Sequence, residues 1–320
     1  HKEYRRQRQM CIRDSNKIRV KEEIKVKQFL CIDIGGTSMK IGVLNEEGEI
    51  LKTDSIKSPD TIEKMYQIIE DVFHGYENIE GLALSMPGAV DSEKGIIGGS
   101  SALDYIHGPK IKEDLENRIH VRVEMENDAN CAALAEVWKG AASDVNDCCF
   151  IVSGTGIGGA VVKDKRIHKG KHLHGGEFGY MIADFDFTTH AMKTWSDVGS
   201  TMAVVREVAR LKGMDVASLD AKEIFDHYHE DPIYEKVVDK FYFVLANGIY
   251  NLQYAYDPEK IVIGGAISVR EDLLDEVNLR LDEIFKTFTH AKIRPVVCTC
   301  QYHNDANLLG ALYHFLTVNS

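Results

Sequence analysis

An amide and a carboxylate stand side by side at Asn127-Asp128, between the run VRVEMEN and the Ala-rich run ANCAALAEVW. A strand that passes into a helix there leaves both side chains at the helix N-terminus, where Asp is also a good cap. The amide can hold a hydroxyl and the carboxylate can take its proton. Phosphoryl transfer to an alcohol asks for that base, for positioning and for charge neutralisation. Three glycine-rich loops supply the complement: Asp33-Ile34-Gly35-Gly36-Thr37, Ser153-Gly154-Thr155-Gly156-Ile157-Gly158-Gly159, and Gly264-Gly265-Ala266. A Gly turn between paired strands brings backbone N–H groups to an anion with no Cβ in the way. Two such hairpins face to face can hold one polyphosphate from both sides. Asp33, beside the first, can hold Mg²⁺ through water while the metal bridges phosphate oxygens. These residues point to a phosphotransferase.

Other groups are weighed against that reading. His168, His172 and His174 lie near Glu177. The spacing His172-x-His174 suits strand positions rather than the i, i+4 pair of a helical zinc site, and no cysteine lies in the segment, so no zinc is expected. Glu177 stands between Gly175-Gly176 and Gly179, where the backbone can crowd a ligand and the carboxylate can bond it. Gly264-Gly265 leave room for a flat purine or ribose. Cys148-Cys149 and Cys298-x-Cys300 sit in apolar runs and read as small buried residues.

The elements around these groups alternate. FLCIDIG, MKIGVLN and EILKTDSI form a strand meander. Ile62, Met65, Ile69, Val72 and Phe73 fall at helical spacing. GLALSMPGAV is a buried strand that ends at the Pro87-Gly88 turn. Residues 95–108 read as a Gly/Ser-rich loop, and KDKRIHKGKHLHGGEFGY as a long loop over a site. Helical patterns follow at 200–212, 233–257 and 271–288, with strands IVIGGAI and PVVCTCQY and a closing helix from Asn307 to Leu316. The order strand, strand, strand, helix, strand, helix occurs twice. This predicts an α/β class and a duplicated architecture of two lobes around a cleft.

With 44% hydrophobic and 28% charged residues, the chain can bury a sizeable core. No run of about 18 apolar residues occurs, so no membrane span is expected. Seven cysteines without framework spacing suit a reducing cytoplasm. Residues 1–28 carry ten Lys/Arg against four Asp/Glu, yet the whole chain is at −12. So acidic a body argues against nucleic acid as a partner. HKEYRRQRQMCIRDS has neither helical nor strand periodicity, and 1–27 is expected to be a disordered, non-native leader.

Taken together, DIGGTSMKIG, SMPGAVD, MENDANCAALAE, SGTGIGGA, GGEFGYM and IVIGGAIS make the chain resemble the ROK family (repressors, open reading frames and sugar kinases) from about Phe29 to Leu316. The resemblance implies the duplicated actin-like, hexokinase-type (ribonuclease H-like) fold. It places 28–125 plus about 306–320 in a small lobe and 126–305 in a large one. It implies a cytoplasmic homodimer that uses ATP and Mg²⁺ to phosphorylate a sugar 6-hydroxyl. By the same resemblance Asp33, Gly35, Gly36, Thr37 and Lys40 meet phosphate and Mg²⁺. Gly154, Thr155 and Gly156 meet the phosphates from the other side, and Gly264 and Gly265 lie against adenosine. Pro87, Gly88, Asn127, Glu177 and Tyr180 line the sugar, with Asp128 as base.

The departures from the family pattern are also informative. Tyr180 stands where the family has His, and ADFDFTTHAMKTWSDVGST lacks the family's zinc cysteines. Ser196 stands for a Glu and Ala102 for a sugar-binding Asn. This resembles a zinc-free branch that includes β-glucoside kinases. A β-glucoside such as cellobiose is the expected substrate, with N-acetylmannosamine or free glucose as alternatives. The alternative from another class is a sugar-responsive regulator without its DNA-binding domain.

Overall fold

The computed structural model describes residues 26–99 and 101–318. The leader expected at 1–27 therefore lies outside the described residues, apart from Val26 and Lys27. In chain order the first half runs β1 (Gln28–Ile34), β2 (Ser38–Asn45), β3 (Ile50–Lys57), α1 (Ile62–His74), β4 (Ile79–Met86), the hairpin β5 (Ala89–Asp91) and β6 (Ile96–Gly98), α2 (Ile111–Ile119), β7 (Arg122–Asn127) and α3 (Asp128–Lys139). The second half runs β8 (Cys148–Ser153), β9 (Ile157–Lys163), β10 (Arg166–Ile167), the hairpin β11 (Ile182–Phe185) and β12 (Met192–Thr194), α4 (Trp195–Gly199), α5 (Thr201–Lys212), α6 (Ala221–Asp226), α7 (Pro232–Tyr256), β13 (Lys260–Gly264), α8 (Leu273–Thr287), β14 (Val297–Thr299) and α9 (Ala306–Thr317).

The two halves repeat one sheet. The first has the order β3-β2-β1-β4-β7, the second β10-β9-β8-β13-β14. In each, the first three strands are antiparallel and the later two run parallel to the first. This is the duplicated actin-like, hexokinase-type arrangement expected from the sequence. β1 shows why. Its run Phe29, Leu30, Cys31, Ile32 is buried on both faces, as a strand covered on both sides must be. Leu30, Ile32 and Ile34 pack with Met65, Ile69 and Leu115 of α1 and α2. Phe29 and Cys31 turn to α9.

α3 is covered by both sheets. Its Cys131 and Ala135 join Phe29, Cys31, Ala83 and α9. Ala133 and Val137 join Cys148, Phe150, Ala160 and Val262 of the second sheet. Small residues on both faces let α3 sit between them. α9 lies still closer: a Cβ at Gly310 would fall 1.7 Å from the Cys131 carbonyl oxygen. The buried Glu136 carboxylate ties the approach to α9 onto α3, accepting from the backbone N–H groups of Ala141, Gln301 and Tyr302.

One stretch differs from the sequence reading, and another received no element in it. Residues 95–108 hold β6 and a 3₁₀ turn at Asp104–Ile106, with Ile97, Leu103 and Ile106 buried. Those three side chains anchor the segment, and its glycines masked them in the sequence. Residues 181–199 form the β11–β12 hairpin and α4, set in place by Trp195, which lies in slots left by Gly199 and Gly248. No helix among the described residues is long and apolar enough to cross a membrane.

Gly310→Ala is expected to cost on the order of 2–4 kcal/mol, since backbone must move. Gly98→Ala, whose added carbon would meet only the Ala89 carbonyl at 3.8 Å, is expected to stay within about 1 kcal/mol. Urea melts of the two variants decide; equal midpoints would mean the α3–α9 contact is looser than described.

Candidate active site

The first glycine loop is the β1–β2 turn. Gly35 N–H donates to the Ser38 carbonyl at 3.0 Å, and a Cβ at Gly36 would press on the Ala102 methyl at 2.9 Å. Asp33 ends β1. Its Oδ1 accepts from Ser85 Oγ at 2.7 Å and from Asn307 Nδ2 at 3.0 Å. Lys40, in register opposite Asp33, donates to the Asn304 carbonyl at 2.7 Å and to Asp305 Oδ1 at 2.6 Å. Asp33, Gly35, Gly36, Thr37, Lys40 and Asn304 line an open cleft of about 620 Å³. A fixed carboxylate, a lysine and glycine N–H groups around such a cleft are an oxygen-and-cation set that suits a polyphosphate with Mg²⁺.

The sequence reading did not single out 304–307, which completes this cleft from α9. A signal was present. Asn304-Asp305-Ala306-Asn307 repeats Asn127-Asp128-Ala129-Asn130. Each follows the fifth strand of its sheet as a helix begins.

The second loop is the β8–β9 turn, closed by Gly154 N–H to the Gly156 carbonyl at 2.9 Å. The start of α5 holds it, with Thr201 Oγ1 and Met202 N–H both donating to the Gly154 carbonyl. Ser196 braces its far side. Ser196 Oγ accepts from Ile157 N–H at 3.0 Å, and a Cβ at Gly179 would lie 2.3 Å from that oxygen. Ser196, read as standing in for a sugar contact, thus has its hydroxyl on loop backbone. The third loop lies against the second. A Cβ at Gly264 would meet the Phe150 ring at 2.6 Å, and one at Gly265 (φ +86°) the Ser153 carbonyl at 2.4 Å. Glycine there makes room for β8.

Asn127-Asp128 stands near Asp33 and Glu177. The sequence reading weighed Asp128 as the helix cap; the cap is Asn127, whose Oδ1 accepts from Asn130 N–H at 3.1 Å. Its Nδ2 donates to the Gly88 carbonyl at 3.0 Å, presented by the Pro87-Gly88 turn with Gly88 at φ +94°. Capping by Asn127 frees Asp128 for chemistry. Its Oδ1 accepts from Ala129 N–H at 2.8 Å, and the Asn127 side chain also bonds the carboxylate. Burial pushes the Asp128 carboxyl up to about 6, and the charges of Asp33 and Glu177 push in the same direction. Glu177 itself is solvent-exposed, just before the 3₁₀ turn Phe178–Tyr180. Tyr180 is 71% exposed. His174 Nδ1 bonds the His172 carbonyl at 2.6 Å. Among the described residues no group of three or more His, Cys, Asp or Glu side chains is placed to hold a metal ion.

Known proteins share this architecture. A β-glucoside kinase of Listeria innocua is 34% identical over 90% of this chain and 97% of its own. A ROK family protein from Streptococcus pneumoniae, solved with sucrose, superposes with a TM-score of 0.85 at 35% identity, covering 91% of this chain and 99% of that one. A ROK family glucokinase from Streptomyces griseus, solved with glucose and AMPPNP, gives 0.72 at 25% identity over 92% and 100% of the two chains. Fold and site together define an ATP-dependent sugar kinase. The chain belongs to the ROK family, whose sequence profile matches residues 29–318.

The raised Asp128 carboxyl has a cost. A group whose folded pKa lies above its unfolded one stabilises the fold at low pH and loses that stabilisation as pH rises through the folded value. Asp128→Asn is therefore expected to raise stability above about pH 7 by on the order of 1–2 kcal/mol and to give little gain near about pH 4. Thermal midpoints at the two pH values check this; an equal change at both would mean that Asp128 ionises normally.

Proposed function

We propose that the enzyme transfers the γ-phosphoryl group of ATP to the 6-hydroxyl of a β-glucoside such as cellobiose. The observation that carries the transfer is Asp128: a carboxyl raised to about 6, at a helix start, between the Asp33 cleft and Glu177. Such a group is ionised near neutral pH and basic enough to take a proton. Asn127 Nδ2 gives one N–H to Gly88, and the side chain, which also bonds the Asp128 carboxylate, can give its second N–H to the sugar hydroxyl. Asp128 takes the hydroxyl proton as the oxygen attacks. Backbone N–H groups of Gly35, Gly36 and Thr37, with Lys40, receive the phosphates from one lobe; Gly154, Thr155 and Gly156 receive them from the other. Asp33 would hold Mg²⁺, whose charge offsets that of the phosphates. Gly264 and Gly265 carry the third loop to the adenosine side. Pro87, Gly88, Glu177 and Tyr180 complete the sugar side.

The choice of a β-glucoside is supported by the kinship with β-glucoside kinases and by Tyr180. An exposed phenol ring beside Glu177 offers a face to the C–H side of a second ring and leaves space for a substituent at the anomeric carbon. In a coupled ADP-release assay, kcat/KM for cellobiose or gentiobiose is expected to exceed that for free glucose, by about tenfold if one buried hydrogen bond separates them. A preference for N-acetylmannosamine would move the substituent to the 2-position. A tenfold preference for glucose would make this a glucokinase.

Asp128→Asn is expected to lower kcat by about 10²–10⁴-fold while sugar binding, followed by calorimetry, stays near wild type. The wild-type kcat/KM is expected to fall below about pH 6, where Asp128 protonates, and to level off above it. A variant that keeps more than about a tenth of kcat would remove Asp128 from the role of base.

A further inference from the structure

Behind the sugar side lies a buried polar knot that the phosphoryl-transfer chemistry does not use. Glu126, 1% exposed, precedes the Asn127-Asp128 pair. Its Oε1 accepts from Asn127 N–H at 2.8 Å and from Asn130 Nδ2 at 3.0 Å. It thus grips the turn that presents both site residues. Its Oε2 lies 2.7 Å from Lys169 Nζ and accepts from Ser92 Oγ at 3.3 Å.

Glu126 lies near the end of β7 of the first sheet, whereas Lys169 follows β10 of the second, in the loop that leads to Glu177. Its Nζ also donates to Ser92 Oγ at 2.5 Å and to the Val90 carbonyl at 3.4 Å, on and just beyond the β5 strand that follows Gly88. The Lys169 carbonyl accepts from Gly175 N–H at 2.8 Å, and a Cβ at Gly175 would lie 2.3 Å from the His168 carbonyl oxygen. The loop is therefore folded tightly on Lys169 just before Glu177. A cleft of about 650 Å³ opens beside the pair, lined by Glu126, Ser92, Lys169, Leu173 and His314 among others, so the ion pair bridges a gap. His314 Nδ1 stands 3.7 Å from Glu126 Oε2, and burial holds that imidazole below its usual pKa.

We propose that Glu126 and Lys169 are positioning residues that lock the two walls of the sugar pocket, Gly88–Asn127–Asp128 and Glu177, at a fixed separation. The inference rests on the reading that those walls hold the sugar. A hydroxyl held from one wall while its ring is gripped by the other reacts well only if the walls keep their spacing, because small misplacements are costly in rate. A merely structural ion pair would show in stability alone. A positioning pair shows in the handling of one substrate and not the other.

The test uses Lys169→Met and the double variant Glu126→Gln/Lys169→Met. Lys169→Met is expected to raise the sugar KM by about tenfold and to leave the ATP KM within about twofold. It also strands a buried charge and is expected to lower the thermal midpoint. The double variant strands none, so its midpoint should recover while the sugar KM stays high. Hydrogen exchange on the sugar-free protein gives a reading independent of any substrate: in Lys169→Met the amides of Asn127 and Asn130 and those of 168–177 should exchange faster together. Unchanged exchange in either wall, an unchanged sugar KM, or a sugar KM that recovers with the midpoint would each overturn the proposal. If the wild type turned over no sugar, the sugar-kinase reading would fail, and the exchange data would still decide whether the two walls are coupled.

Discussion

Gly310 of α9 rests on the Cys131 carbonyl of α3, with no room between them for a methyl group. This backbone contact fixes the distance between the two helices whose N-termini reach the site. α3 brings Asn127 and Asp128; the start of α9 and the residues before it bring Asn304 to the cleft at Asp33, with Asp305 on Lys40 and Asn307 on Asp33. Because α3 is also packed by the second sheet through Ala133 and Val137, the same helix sets where the second glycine loop stands. Small side chains on α3 and α9 therefore set the spacing of these residues. A wider spacing would draw the residues at the start of α3 away from those that lead into α9.

Within that frame the site is dominated by negative charge. Asp33 and Glu177 act together on Asp128, and burial adds the larger part. The resulting carboxyl, raised to about 6, holds its charge at a cost. Lys40 waits beside Asp33 in the hands of Asn304 and Asp305. The acidic site thus holds a cation that is already oriented and already compensated.

Much of this was legible in the residues. The three loops, the alternation of strands and helices, the doubling and the Asn-Asp pair all followed from spacing and composition, because glycine turns and apolar periodicity are local signals. What escaped was set by distant contacts. Glu126 and Glu136 look like ordinary acidic residues in a strand and a helix, and only packing shows them buried and bonded to backbone. That Gly264 and Gly265 let the third loop lie against β8 shows only in the packing. Residues 95–108 looked loose because glycine and serine outnumber the few anchors that bury them. The segment 181–199 shows weak periodicity, and its order comes from one tryptophan set against two glycines.

The tetrapeptide Asn-Asp-Ala-Asn occurs at both helix starts. In one copy the first Asn reaches the Gly88 carbonyl and the Asp stands between two other carboxylates. In the other the Asp takes a lysine and the last Asn takes Asp33. The same four letters thus stand in two settings: one Asp lies near carboxylates and is pushed toward its neutral form, the other is paired with Lys40. The doubling of the fold supplies two like helix starts, and their neighbours give them opposite charge environments.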